Sequence, residues 1–287
     1  MTRTSLTTML KKYARQRLQP DTTPYFCLLH SDLMEIADKC SRSLKEIEIA
    51  ALENGIIPER YCRNQNSLSS REQIRLLRSH VAVIGQGGLG GTVTEILARI
   101  GVGRLTLVDA DIFEESNLNR QLLSTVDDLG CSKAEAGKKR VERINPAVEV
   151  TAITTFLTRH NGEEILSGSQ LAVDCLDSIP SRFDLEHACQ ALRIPLVSAA
   201  IGGTAGQATV VFPGDGGLRR IYGDPENAGQ KGVETRLGTL PYTATLMAAI
   251  ECAEVVEILC RKSSSLQNSI LMADIEDKSM EKMSFSV

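Results

Sequence analysis

No run of about 18 apolar residues occurs in this 287-residue sequence, so a membrane-spanning helix is not expected. Neither sign of charge prevails: 32 basic residues stand against 36 acidic ones, a net charge of −4. That balance lacks the basic footprint of a nucleic-acid-binding domain. Arg3, Lys11, Lys12, Arg15 and Arg17 open the chain, but no apolar segment follows them as a signal peptide requires. A cytoplasmic location is the expectation. There are eight cysteines but no Cys-x-x-Cys pair. A disulfide scaffold would be shorter and secreted. Several of these cysteines lie in apolar runs, where a free thiol behaves as a small buried hydrophobe. No internal repeat is present.

What is present describes a globular chain. Apolar residues make up 42% and charged residues 24%, enough for a sizeable core. Residues 1–65 read as a helical N-terminal extension without strand signal. Asp32–Cys40 and Ser43–Asn54 are its clearest helices. The second opens with a capping box, Ser43 with Glu46, and stops before Gly55 and Pro58. Residues 66–287 read as the main domain. His80–Ile84, Arg104–Asp109, Val148–Thr154, Gln170–Cys175 and Pro195–Ala200 have the apolar character of buried strands. Between them, Gly88–Ile100, Ser132–Ile144 and Pro180–Leu192 have helical periodicity. This alternation predicts an α/β, Rossmann-like, mostly parallel sheet with flanking helices. Gly206–Phe212, a long helix over Thr243–Cys260, and strands at Ser269–Asp274 and Met280–Phe285 extend it. The stretch between Pro213 and Gly238 has no period and reads as a functional or mobile loop.

Gly85-x-Gly87-Gly88-x-Gly90 follows one strand and opens a helix. Glycines there permit a tight turn, and the helix N-terminus offers free N–H groups to a phosphate. Asp109, 19 residues after Gly90, can accept from ribose hydroxyls. A NAD-dependent oxidoreductase would fit these features as well. Further residues separate the readings. Asp111 precedes the polar run Ser116-Asn117-Leu118-Asn119-Arg120-Gln121, and arginine can fork onto phosphate oxygens. Lys133 stands in the first turn of a helix, where its charge opposes the macrodipole unless an anion shares the site. Asp177 and Ser178 follow a strand at its C-terminal edge, where open α/β sheets bind ligands. A carboxylate there suits magnesium.

Together with Arg60-Tyr61-x-Arg63, Gly130-x-x-Lys133-Ala134, Ile144-Asn145-Pro146 and Asp174-x-x-Asp177, these motifs resemble the MoeB/ThiF/HesA family. The resemblance runs from about Arg60 to Leu259. It implies ATP-dependent adenylation of the C-terminal Gly-Gly carboxylate of a small β-grasp sulfur carrier of the MoaD or ThiS type. It further implies ATP and magnesium as cofactors. Gly85, Gly87, Gly88 and Gly90 would cradle the nucleotide, with Asp109 on the ribose. Asp111, Ser116, Asn119, Gln121 and Ser178 would complete its pocket. Asn117, Arg120 and Lys133 would hold the phosphates, and Asp177 the metal. Arg63 matches an arginine that acts in the partner subunit's site, implying a homodimer. The catalytic set is thus Arg63, Arg120, Lys133 and Asp177. No general base is needed, because the attacking carboxylate is already an anion; His30, His80, His160 and His187 read as structural or surface residues.

Departures from the family pattern also inform. The missing Cys-x-x-Cys pairs predict no zinc. The loop from Pro213 to Gly238 has no cysteine, so a thioester step there is not expected, and the acyl-adenylate would pass to a separate sulfur donor. Cys175 is read as buried core. Ser178 stands where the family often has asparagine. The competing readings are a tRNA threonylcarbamoyladenosine dehydratase-like enzyme and a non-catalytic module that holds a carrier protein. The acidic balance argues against the first, and the intact Arg120, Lys133 and Asp177 against the second.

Overall fold

A computed structural model describes residues 3–229, 232–261 and 263–285. The N-terminal region contains α1 (Arg3–Tyr13), β1 (Arg15–Leu18), β2 (Pro24–Leu28), α2 (His30–Cys40), α3 (Leu44–Glu53) and β3 (Ile56–Pro58). The purely helical reading of residues 1–65 is therefore corrected: β1, β2 and β3 form a three-stranded sheet. Its outer strand is exposed along its whole length and has no apolar face to betray it. Arg15 and Arg17 instead pair with the distant Asp32 and Glu59, each at 2.9 Å. The capping box of α3 forms as expected, with Ser43 Oγ accepting from the Glu46 N–H. The buried stripe of α3 includes Glu48 and Leu52 as well as Leu44, Ile47 and Ala51.

A 3₁₀ turn (Glu59–Asn64) and α4 (Ser70–Leu77) lead into the main sheet. Its elements are β4 (His80–Ile84), α5 (Gly88–Ile100), β5 (Arg104–Val108), α6 (Lys133–Ile144), β6 (Glu149–Ile153), α7 (Gly162–Leu166), β7 (Leu171–Asp174), α8 (Ile179–Leu192) and β8 (Leu196–Gly202). Then come β9 (Ala205–Val211), α9 (Arg219–Tyr222), α10 (Glu234–Leu237), α11 (Pro241–Arg261), β10 (Ser269–Asp274) and β11 (Ser279–Ser284). The eight strands lie in the order β11-β10-β9-β8-β7-β4-β5-β6. Those from β6 through β8 are parallel; β9, β10 and β11 continue antiparallel. The C-terminal strands thus extend the parallel sheet as expected.

Apolar side chains cover both sheet faces. Val81, Val83, Leu97, Leu105, Val173 and Val255 form one layer with α5 and α11. Ala82, Ile84, Leu166, Leu185 and Cys189 form the other with α7 and α8. After β4 the chain moves outward to β5 and β6, and β7 then returns on the other side of β4. That reversal opens a crevice at the C-terminal ends of β4 and β7, where doubly wound sheets bind ligands. The loop after β9 is not structureless: it carries α9 and α10, while residues 230–231 of it lie outside the described residues. No described helix is long and apolar enough to cross a membrane.

Candidate nucleotide site

A cavity of about 530 Å³ occupies this crevice. Its floor is the glycine turn. Gly85 has φ +92°, and a Cβ there would meet the Cys175 carbonyl oxygen at 2.6 Å. A Cβ on Gly90 would lie 1.8 Å from the Gly85 oxygen. These two glycines let the first turn of α5 fold tightly onto the end of β4. Gly85, Gly87 and Gly88 line the cavity, while Gly90 lies behind it. No side chain caps the N-terminus of α5, so its N–H groups are available to an anion.

Asp109 fastens the turn. Its Oδ2 accepts from the Gln86 N–H at 2.6 Å and its Oδ1 from the Asp111 N–H at 2.8 Å. Burial raises this carboxyl above its ordinary value, against the pull of those two bonds and of Lys133. Each oxygen keeps a lone pair for a ligand hydroxyl. Lys133 is buried in the first turn of α6, with its Nζ 3.1 Å from Asp111 Oδ2. The anion that offsets the unfavourable helix dipole is therefore already present in the protein.

The polar run wraps the opposite wall. Arg120 Nη1 donates to the Ser116 carbonyl at 3.1 Å and to Asn119 Oδ1 at 2.8 Å. Ser116 and Asn119 thus orient Arg120 without lining the cavity themselves. Asn117 is buried, and its Oδ1 accepts from the Glu114 N–H at 3.0 Å. Gln121 lines the cavity with a buried Oε1 that has no hydrogen-bond partner among the described residues, an acceptor that a bound ligand can satisfy. Asp177 and Ser178 line it from the turn between β7 and α8.

Of the predicted site residues, the structure brings together Gly85, Gly87, Gly88, Asp109, Asp111, Asn117, Arg120, Gln121, Lys133, Asp177 and Ser178. Arg63 is elsewhere. It sits on the 3₁₀ turn and borders a separate groove of about 510 Å³ with Ile96, Ile100, Ala253 and Val256. None of the four histidines borders the cavity. Cys175 does border it, but its Sγ faces the Glu251 carboxylate at 3.9 Å, and burial, with Glu251 next, holds the thiol well above its usual range. A thiol so placed is a poor nucleophile.

Sequence reasoning missed several lining groups: Glu114, Phe156, Arg182, Ala200, Ile201, Glu234 and Thr239. Arg182 had left a signal. It interrupts the buried stripe Ile179, Leu185 and Cys189 of α8, where an arginine needs a buried partner. Glu234 and Thr239 left none, since the fold of the long loop brings them to the mouth. Among the described residues, five carboxylates line the cavity (Asp109, Asp111, Glu114, Asp177 and Glu234) and three cations (Arg120, Lys133 and Arg182). Lys133 is paired with Asp111, and Arg182 with Asp174.

The ThiF family profile matches residues 61–286. The SAMP-activating enzyme E1 of Haloferax volcanii is 33% identical over 229 residues, covering 79% of this chain and 85% of that protein. The sulfur carrier protein adenylyltransferase of Thermus thermophilus is 34% identical over 217 residues, 74% of this chain and 80% of that one. The adenylyltransferase and sulfurtransferase MOCS3 of Mus musculus is 36% identical over 215 residues, but only 45% of its length is spanned. Among solved structures, E. coli MccB with ATP superposes with a TM-score of 0.68 at 20% identity, covering 90% of this chain and 79% of that one. E. coli tRNA N6-threonylcarbamoyladenosine dehydratase gives 0.60 at 22%, covering 71% and 95%. At these identities the two structures establish a shared fold.

Proposed function

Because the chain belongs to the ThiF family, we propose that it is an ATP-dependent adenylyltransferase for a small β-grasp sulfur-carrier protein ending in Gly-Gly. The convergence of Arg120, Lys133 and Asp177 on the open N-terminus of α5 carries this reading. The carrier's terminal carboxylate attacks the α-phosphorus of ATP. A carboxyl–phosphate bond forms, and the bond to pyrophosphate breaks. Both reactants are anions, so the barrier is chiefly electrostatic and fixed cations lower it. Arg120 is held by Ser116 and Asn119 in a geometry ready for phosphate oxygens. Lys133 can exchange Asp111 for a phosphate across a short distance. Asp109 is suited to the ribose hydroxyls.

The donor set also fits magnesium. Asp177 offers one carboxylate, leaving other positions to water and phosphate. The ion's chemistry there is neutralisation of charge on the leaving pyrophosphate. Arg63 lies outside the cavity of its own chain. We place it in the site of a second copy, which makes the homodimer a pair of composite sites and adds a cation to each. A carrier of the MoaD or ThiS type fits this role, with a separate sulfur donor accepting the acyl group. All eight cysteines are free thiols, which suits the reducing cytoplasm.

The test is exchange of labelled pyrophosphate into ATP. Exchange should require magnesium and a Gly-Gly-ended carrier, and a carrier lacking its last glycine should not support it. Exchange driven by tRNA instead would move the assignment to a dehydratase-type enzyme.

A further inference from the structure

The Asp174-x-x-Asp177 spacing has a reason that the cavity lining does not explain. Asp174 closes β7 and is fully buried, so it is not itself a ligand group. Its Oδ1 accepts from the Leu176 N–H at 3.1 Å. Its Oδ2 accepts from Arg182 Nη1 at 2.7 Å and from Ser198 Oγ at 2.6 Å. Arg182 is also buried; its Nη1 donates to the Ala199 carbonyl at 2.8 Å and its Nη2 donates to the Leu176 carbonyl. One ion pair therefore holds Leu176 by both its N–H and its C=O.

The Leu176 carbonyl belongs to the same peptide plane as the Asp177 nitrogen. Fixing that plane fixes the direction in which Asp177 leaves the backbone. The next residue, Ser178, caps α8 without any side-chain cap bond, so the turn gains no local anchor there. The Ala199 carbonyl likewise shares a peptide plane with Ala200, which lines the facing wall. The guanidinium thus spans the turn after β7 and the middle of β8.

A lysine could match the charge but not this planar set of donors aimed at three acceptors. Arginine also interrupts the apolar stripe of α8, an expensive place for a cation whose only role is stability.

We propose that Arg182, braced by Asp174, is a positioning residue that presents Asp177 to the magnesium of a bound nucleotide. Although Arg182 borders the cavity, its guanidinium is engaged by Asp174 and by the Ala199 and Leu176 carbonyls, and it acts through the Leu176–Asp177 peptide. The proposal rests on the adenylation reading and adds to it a cause for the coupling between metal and nucleotide.

The experiment compares ATP affinity by calorimetry in EDTA and in excess magnesium, for the unaltered protein, Arg182→Lys and Arg182→Ala. Manganese binding to the protein–ATP complex, followed by electron paramagnetic resonance, gives a direct readout of the metal. The unaltered protein should bind ATP more tightly with magnesium. The variants should lose less than about threefold in EDTA, and about tenfold or more of the gain that magnesium provides. Manganese affinity should fall in parallel. An equal loss with and without metal, or an intact metal gain, would overturn the positioning role. Should Arg182→Ala not fold, Arg182→Lys carries the comparison, because it keeps the buried charge and loses only the donor geometry. If the unaltered protein shows no magnesium gain at all, the adenylation reading fails first and this proposal with it, and that failure is visible before any variant is made.

Discussion

Glu48→Gln offers a sharp physical test of how the N-terminal region is joined to the nucleotide-binding core. Glu48 sits on α3 with no exposed surface. Its Oε2 accepts from the Tyr61 hydroxyl at 3.1 Å, and Asn145 Nδ2 donates to that same hydroxyl at 2.9 Å. Its Oε1 has no hydrogen-bond partner among the described residues, although Arg60 Nε lies 3.5 Å away. Burial pushes the carboxyl up to about 7, against the opposing pull of Arg60 and Tyr61. In the unfolded chain its value is near 4.5. At about 1.4 kcal/mol per pH unit, that gap amounts to about 3 kcal/mol. A carboxyl whose value is raised by folding favours the fold while protonated. Its contribution is complete below about pH 4.5 and is lost as pH rises through about 7. Glutamine cannot ionise, so the variant escapes this loss. Urea unfolding of both proteins from pH 5 to pH 8.5 measures the difference. The stability of the natural protein relative to Glu48→Gln should fall by about 2.5 kcal/mol from pH 5 upward and be flat above pH 8. His30, which touches Arg60, is present in both proteins, so its effect largely cancels. A difference independent of pH, or one that grows in favour of the natural protein as pH rises, would refute the reasoning. The second result would mean that the Arg60 ion pair outweighs desolvation.

Gly90→Ala should cost about 3 kcal/mol and abolish nucleotide binding, because its Cβ would overlap the Gly85 carbonyl oxygen; thermal melting with and without ATP measures both effects. Cys175→Ser should keep carrier-dependent exchange within about threefold, since the thiol faces Glu251 and is held protonated; loss of about a hundredfold would restore a chemical role to this cysteine. Arg63→Ala and Lys133→Ala chains should each be nearly inactive alone. Mixed together, they should recover up to about a quarter of normal activity, because hybrid dimers of random pairing contain one intact composite site. Absence of any recovery in an exchange assay would count against a shared site.

The sequence made much of this legible, and its silences have physical causes. β4, β5, β7 and β8 were readable because buried parallel strands are continuous apolar runs, whereas β6 is a partly exposed edge strand without such a run; the α5 turn was readable because a glycine pattern between strand and helix has few other uses. β1 escaped because its residues are exposed and its arginines are matched by Asp32 and Glu59, partners that only the fold brings near. β3 is three residues long and ends at Pro58, below what a periodic pattern can resolve. Helix α4 carries its signal in the sequence too, a capping box of Ser69 and Glu72. Within the site, motif residues tied to backbone turns were found. Glu234 and Thr239 were not, because the 26 residues from Pro213 to Gly238, being without period, carry no information about where that stretch returns. Glu48 and Arg182 form a middle case. Each is a charge inside an apolar helical stripe, so its burial could be inferred, but its partner could not.

The most direct measurement is the intact mass of a Gly-Gly-ended carrier after incubation with this protein, ATP and magnesium. An adduct heavier by one adenylyl group, formed with pyrophosphate release and absent when the last glycine is removed, is the predicted result. Consumption of ATP with no adduct on any carrier, or adenylyl transfer to tRNA in its place, would contradict the account.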